Sequence, residues 1–581
     1  MAQALQPLSP TAPGLRRHTG DLLRFIPALT LALFLAPVGA GLIGTWLPAF
    51  GFFPALGGEG LSLDPWRALF QEPALPSAIR LSLTSGLISS VVSLALVIGL
   101  VATWQGSPWL RRLRRLLSPL LAVPHAALAI GLAFLIAPSG WLLRLLSPWA
   151  TGWDRPPDIA LVQDPHGLAL TLALVVKEAP FLLLMTLAAL DQSNADQRLA
   201  AARSLGYGPA AAWMKTVFPA IYTQIRLPVY AVLAFSLSVV DMAMILAPNN
   251  PPPLAVLVLR WFNDPELGLR FMAAAGASLQ LAIVVAAILL WRCGELLAIA
   301  VGRRWLFRGE RGGPAKTLRR LSGTAMALLY GLSGMSVLAM ALWSLAGRWR
   351  YPDALPSAWG LKTWVQQSHG LLWSGTTTLW LGLASSLIAL FLVLGCLENE
   401  SRRGIRSLER ALWLLYSPLL VPQVAFLFGA QVLAVSAGID GTWVALIWSH
   451  LLFVLPFVFL ALADPYRSLD ERYARSALCL GASPNRVWLE VKLPMLLRPI
   501  LVALAVGFSV SVAQYLPTIF AGSGRFMTLT TEAVSLSTGA DRRVIGVYAL
   551  LQAVLPLIAF AGALLAPAWL FRNRRGLRGT A

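Results

Sequence analysis

LAAARSLGYGPAAAWMKTVFP, residues 199–219, and ARSALCLGASPNRVWLEVKLP, residues 474–494, are two copies of one polar pattern. In each copy an Ala/Ser-rich turn runs to a Leu-Gly pair, Leu205-Gly206 and Leu480-Gly481. Pro209 and Pro484 follow shortly after, and Pro219 and Pro494 close the pattern. The residues from Asp196 to Leu205 are good helix formers, and Gly206 is free to take the left-handed conformation that ends a helix. Pro209 can then open a second helix at its first position, with Gly208 before it. Ser483 is a better N-cap in the second copy. Each copy therefore predicts helix, sharp bend, helix. The second helix offers Trp213, Met214, Val217 and Phe218, or Val487, Trp488, Val491 and Leu493, among basic residues. Spacing alone would also fit a helix lying on a lipid surface.

Around these islands the chain is apolar. It is 57% hydrophobic and only 12% charged, with a mean hydropathy of +0.69. That composition places it in the membrane class. Stretches near or above ~18 apolar residues read as transmembrane helices. Twelve are predicted, at 22–46, 78–104, 114–137, 167–190, 226–247, 271–300, 321–346, 371–397, 410–436, 441–463, 497–521 and 543–570. The fold class is thus an all-α polytopic membrane protein of about twelve spans. The first segment is long for a signal-peptide core and reads as a retained span. Residues 1–21 and 572–581 read as tails.

The net charge of +20 has a telling placement. With both termini inside, roughly three quarters of the 46 Lys and Arg fall in cytoplasmic segments, as the positive-inside rule requires. The clusters at 111–115, 303–311 and 572–578 adjoin membrane ends and fit anionic lipid. No basic stretch interleaves with aromatics in a soluble domain, so nucleic acid is not an expected partner. Cys293, Cys396 and Cys479 imply no disulfide framework.

The two halves match beyond the islands. Gly86, Ser89-Ser90 and Gly99 pair with Gly382, Ser385-Ser386 and Gly395 at one constant offset. The SPLL runs at 118–121 and 417–420, then Pro124 with Pro422, Gly131 with Gly429, and Pro180 with Pro456 follow in the same order. The shift in offset places about 22 extra residues in an outside loop of the first half, with Trp141, Trp149 and Trp153. Six spans per half make the repeats parallel, about an axis along the membrane normal. The expected organisation is a first repeat at 22–308 with its island loop at 191–225, a basic linker at 309–320, and a second repeat at 321–571 with its loop at 464–496.

The islands, the SPLL–Pro runs and Pro180/Pro456 resemble the permease subunits of bacterial binding-protein-dependent ATP-binding-cassette importers. The resemblance covers roughly 75–581. The fused double form is similar to the ferric-iron and thiamine importer subunits. In that family the bent "EAA" loop is a coupling helix that seats in a groove of the ATP-binding subunit. The resemblance assigns ATPase coupling to Ala201, Ala202, Leu205, Gly206 and Pro219, and to Ala477, Leu480, Gly481 and Pro494. The family's Glu would fall at Ala200 and Arg475, so neither half keeps it. Asp196 and Glu471 stand one helical turn earlier, on the same face, as substitute carboxylates, and Glu471 is placed to pair with Arg475.

The sequence has no Gly-Lys dipeptide and hence no P-loop. The resemblance therefore implies that ATP and Mg are bound by a partner, a homodimer of ATP-binding subunits beneath the islands. It also implies a periplasmic or extracellular substrate-binding protein, and a place in the bacterial cytoplasmic membrane. No catalytic role, cofactor or metal is expected in this chain, whose five His form no H-x-x-x-H pair.

Ionisable residues within spans are functional candidates by default. Asp241 and Gln514 occupy similar places after each island, and either lining a pathway or bonding between helices would explain them. Lys177 and Glu178 sit mid-span in the first half only. His125 and His450 read as packing histidines. Two rivals are a twelve-span secondary transporter of the major-facilitator type and a polytopic lipid enzyme. The loop at 106–115 lacks the former's acidic signature, and no His/Asp/Glu constellation supports the latter. The cargo stays open among ferric iron, thiamine, another small cation and a polyamine.

Overall fold

The computed structural model describes residues 22–570 except Pro314 and 405–417. Both expected tails, Ser417 and the start of the 410–436 segment lie outside the described residues. Twelve apolar helices, numbered here in chain order, organise the fold. The first half has α1 (Ile26–Ala49), α2 (Leu75–Trp104), α3 (His125–Ile136), α4 (Leu168–Asp191), α5 (Phe218–Ser238) and α6 (Leu269–Phe307). The second has α7 (Lys316–Leu345), α8 (Ser368–Arg403), α9 (Gln423–Ser436), α10 (Trp443–Arg467), α11 (Leu497–Val512) and α12 (Arg542–Leu570). Among the described residues ten stretches are long and apolar enough to cross a membrane. The 14-residue α9 is shorter, and α11 reaches span length only with Pro484–Met495, from which it bends by 75°.

Three expected spans are broken. The 114–137 segment is two helices, Pro108–Ala122 and α3, separated at Pro124. Proline excludes its predecessor from the helical region, and Val123 is extended at ψ 124°. The 226–247 segment ends as a span at Ser238, and a short helix Asp241–Leu246 follows. The 497–521 segment likewise divides into α11 and Leu516–Gly522. Both of these breaks occur where a side chain takes a carbonyl near the helix end. Gln280 Nε2 donates to Leu237 O at 3.1 Å, and Thr530 Oγ1 donates to Val512 O, with Gln552 Nε2 bonded to Thr530 in turn. A buried carbonyl satisfied in this way costs little where the helix ends.

After each break the chain returns into the core as a second short helix, Leu254–Phe262 or Leu529–Leu536. The first N–H of each is held by a hydroxyl at the same repeat position: Leu254 N to Ser82 Oγ at 3.0 Å, and Leu529 N to Thr378 Oγ1 at 2.9 Å.

Each half packs α2, α4 and α5, or α8, α10 and α11, into a trio. The first helix of each half then crosses over. Helix α1 packs on α6 of its own half and on α8 and α9 of the other; α7 packs on α12 of its own half and on α2 and α3 of the other. The repeated glycines explain how. A Cβ on Gly429 of α9 would stand 2.0 Å from Gly41 O of α1, and one on Gly131 of α3 would stand 2.5 Å from Ser336 O of α7. Likewise a Cβ on Gly395 would meet Ile26 of α1, and one on Gly99 would meet Leu318 of α7. Lipid gives helices no hydrophobic drive to associate, so close backbone approach through small residues supplies it. Thr45 adds a bond across the seam, accepting from Gly429 N at 3.2 Å. The result is one contiguous apolar core running from Phe34 to Ala553.

Candidate functional site

The islands are matching bends. The first comprises helices Ala195–Ser204 and Pro209–Thr216; the second comprises Glu471–Cys479 and Pro484–Val487. Gly206 and Gly481 both take φ +84°. Their closing hydrogen bonds coincide as well. Gly206 N reaches Arg203 O at 2.9 Å and Tyr207 N reaches Ala202 O at 3.2 Å; Gly481 N reaches Leu478 O at 3.0 Å and Ala482 N reaches Ala477 O at 3.1 Å. This is the glycine-terminated helix end in which the residues after the cap take up the last carbonyls. Ser483 Oγ caps the second helix by accepting from Arg486 N at 3.3 Å. Each bend projects a leucine outward: Leu205 is 64% exposed and Leu480 is 88% exposed.

Around the bends Ala200, Ala201 and Arg475 are exposed, Ala477 is half-buried and Ala202 is buried. The two acids are exposed and differently engaged. Asp196 accepts from Gln105 Nε2 at 3.1 Å, whereas Glu471 pairs with Arg475 at 2.7 Å. Pro219 opens α5, and Pro494 lies in the turn Leu493–Met495 before α11.

The islands are anchored by different chemistry. Helix Pro209–Thr216 packs on α2 and α5, burying Trp213. The second island leaves its bend through one π-helical turn, Trp488–Lys492. That turn carries Lys492 onto Glu398 of α8 at 2.7 Å. Glu398 also accepts from Arg402 Nε at 2.7 Å and from the Tyr466 hydroxyl. A carboxylate and an ammonium this buried are tolerable only as a hydrogen-bonded network.

In the membrane core the halves diverge again. Lys177 Nζ donates to the carbonyls of Leu121 and Val123, which the break before Pro124 leaves free. Glu178 turns elsewhere and lies 3.8 Å from His125 Nε2. Asp241 begins its short helix, a favourable place for a carboxylate, and interacts electrostatically with Lys177 and with Tyr515 of the other half. Gln514 stands in the link between α11 and Leu516–Gly522, next to Tyr515. His450 is bonded to Ser511 at 2.8 Å and Thr518 at 3.0 Å, a packing role. The first half thus gathers His125, Lys177, Glu178 and Asp241, and the matching repeat positions of the second half hold the uncharged Gln423, Phe453, Val454 and Gln514.

Sequence reasoning missed Glu398 and Lys492, although an acid near the end of an apolar span was a sufficient signal. It also missed Ser82 and Thr378, which share the offset of Gly86 and Gly382. Among the described residues no group of three or more His, Cys, Asp or Glu could hold a metal ion.

No protein-family model matches the sequence. The chain is 36% identical to the inner membrane ABC transporter permease protein YnjC of Escherichia coli K12, over 89% of this chain and 93% of that protein. It is 24% identical to the thiamine transport system permease protein ThiP of the same organism, over 80% of this chain and 84% of that protein. It is 29% identical to the molybdenum transport system permease protein ModB of Mycobacterium tuberculosis, over 35% of this chain and 78% of that protein.

Proposed function

From the premise that the chain belongs to the permease subunits of ATP-binding-cassette importers, we propose how its two islands and its polar core divide the work. The chain is a multi-pass inner-membrane permease that forms the translocation pathway, and such a subunit works with an ATPase and a substrate-binding protein. In our reading the ATPase is a homodimer lying under both islands, and both termini are cytoplasmic. The observation that carries this is the matching pair of bends at Gly206 and Gly481, with equal φ, equal hydrogen bonds and an outward leucine on each.

The mechanism is alternating access. ATP binding draws the two ATP-binding subunits together, and the islands follow. Movement of the first island is passed to α2 and α5, on which it packs, and movement of the second to α8 through Lys492–Glu398. Because α1 and α7 each pack on both halves, the halves rock as linked bodies. The differential binding that drives the cycle belongs to nucleotide and partners, since a subunit without a nucleotide site can only transmit it.

Asp241, Lys177, Glu178 and Gln514 are our candidates for the pathway. The proposed cargo is thiamine-like or ferric iron, and it rests on the overall resemblance to the thiamine permease relative. Purification with a co-expressed ATP-binding subunit tests the assignment. Stable co-elution and ATP-dependent uptake in proteoliposomes are expected, and uptake driven by a proton gradient without ATP would overturn it.

The displaced acids make a separate prediction. Asp196→Asn combined with Glu471→Gln removes two exposed charges, and the Glu471–Arg475 pair contributes only about 0.2–0.5 kcal/mol to its helix. Folding should be unchanged while ATP-driven uptake falls. Wild-type uptake by the double variant would exclude these acids as stand-ins for the motif carboxylate.

A further inference from the structure

Helix α6 is 39 residues long, about 58 Å at 1.5 Å per residue, nearly twice the ~30 Å hydrocarbon core. Its last turns project beside the first island, and the segment that joins the two halves folds back across that island's bend. Gly208 N donates to Arg311 O at 2.8 Å. Lys215, only 9% exposed, donates to Glu310 O at 2.8 Å and Trp305 O at 3.4 Å, with its ammonium 4.4 Å from the Trp305 ring centroid. Trp305 in turn donates to the Glu310 carboxylate at 3.1 Å. The contact is tight: a Cβ on Gly208 would stand 2.5 Å from Gly313 O, and one on Gly312, at φ +69°, 2.8 Å from Ala211.

Among the described residues no segment folds across the bend of the second island, and the chain after α12, which corresponds to the linker, lies outside them. A Cβ on Gly481 would meet nothing within 4 Å, and the position matching Lys215 is Glu490, which pairs with Arg486 on the exposed surface. The surfaces around the outward leucines consequently differ. Leu205 shares a hollow of about 330 Å³ with Arg198, Tyr207 and Leu306 of α6, and the exposed Arg311 lies against Gly206. Around Leu480 the exposed arginines 472, 475 and 486 are matched by Asp470, Glu471 and Glu490.

We propose that the inter-half linker is a fixed part of the first ATPase-docking surface. One copy of the ATP-binding subunit seats on the first island and the linker together. This rests on the coupling role assigned to the islands. The linker segment is tied to the first island by the Gly208–Arg311 and Lys215–Glu310 hydrogen bonds, so a subunit that covers Leu205 also meets Arg311. The first surface carries the exposed Arg198 and Arg311, for which no ion pair is seen among the described residues, and it calls for acidic residues on the rim of the partner's groove. The second surface is charge-balanced. Lys215, Gly208 and Gly312 are positioning residues for the linker.

Cysteine cross-linking of the full chain reconstituted with its ATP-binding subunit tests this. In a background carrying Cys293→Ser, Cys396→Ser and Cys479→Ser, single substitutions Leu205→Cys, Leu480→Cys and Arg311→Cys are each labelled with a short maleimide–diazirine reagent and joined to the partner by irradiation, the diazirine inserting into whatever bond it faces. All three are expected to cross-link. Cross-links from Leu205→Cys and Leu480→Cys with none from Arg311→Cys would overturn the linker proposal and leave the permease reading intact. No cross-link from either leucine position would instead remove the coupling role itself. Lys215→Met frees the linker without touching the second island. It should lower the Arg311→Cys yield several-fold and leave the Leu480→Cys yield unchanged, and equal yields at position 311 with and without Lys215 would refute the clamp.

Discussion

Gly429→Leu should abolish the assembled protein. Gly429 lies in α9 where α1 crosses from the other half, and any Cβ there would meet Gly41 O at 2.0 Å and the carbonyl carbons of Gly41 and Gly44 at 2.8 Å. These are backbone atoms of a helix, so no rotamer change relieves them. Overpacking a core against movable side chains already costs about 1–3 kcal/mol. Here α1 must part from α9, losing the Thr45–Gly429 bond and the close packing that substitutes for hydrophobic drive in lipid. Gly331→Leu on α7 is the control, because its Cβ would meet nothing within 4 Å. Size-exclusion profiles and thermal unfolding in detergent measure the outcome. A monodisperse Gly429→Leu protein with the wild-type unfolding temperature would show that the crossover does not hold the halves together. Gly131→Leu, whose Cβ faces Ser336 O of α7, should repeat the result from the other side.

Glu398→Ala is expected to give the next largest loss. Glu398 is 3% exposed and is shared by Lys492, Arg402 and Tyr466. Removing the carboxylate strands the Lys492 ammonium, itself 9% exposed, and breaking a buried pair from one side typically costs about 3–5 kcal/mol. Glu398→Gln keeps an acceptor and should lose less. Lys492→Met in the Glu398→Ala background should recover part of the loss, since the orphaned charge is then gone. A double-mutant cycle from unfolding temperatures reads the coupling directly. If the two single losses simply add, the network is not a unit. Uptake is the second readout: Lys492 lies at the exit of the second island, so Glu398→Gln should lower transport by more than its stability loss accounts for.

Local chemistry made the islands legible. A glycine after an Ala-rich turn, a proline three residues on and a serine before it specify a helix end and a helix start from nearest neighbours alone. The all-α membrane class and the order of the apolar segments were legible for the same reason, since length and composition decide whether a segment can cross lipid, but ten of the twelve expected spans reach that length among the described residues. What escaped the sequence was decided by residues far away in the chain. The break after Ser238 has Gln280 on its freed carbonyl and no proline or glycine beside it, whereas the break after Val512 has Thr530 and Gln552 on its carbonyl and a local mark in Pro517, in the first turn of the next helix. The repeated glycines at 99, 131, 395 and 429 were visible as a pattern, but their meaning is a crossing between halves, which periodicity does not encode. Glu398 and Lys492 are 94 positions apart and look ordinary singly. The linker clamp on the first island was hidden because basic, glycine-rich sequence reads as flexible, while its glycines in fact allow a close backbone approach.

The crossover of α1 also has a consequence in time. Ribosomes deliver α9 roughly 375 residues after α1 is complete, and at about 5–20 residues per second that interval is roughly 20–75 s. Through that interval the Gly41–Gly44 face of α1 has no partner on the chain yet made, whereas α3 and α7 meet sooner. The protein must therefore keep that face of its first helix uncovered in the bilayer during synthesis, while α6 and then α8 pack elsewhere on it, and a principal seam between the halves closes only when a late helix reaches the earliest one.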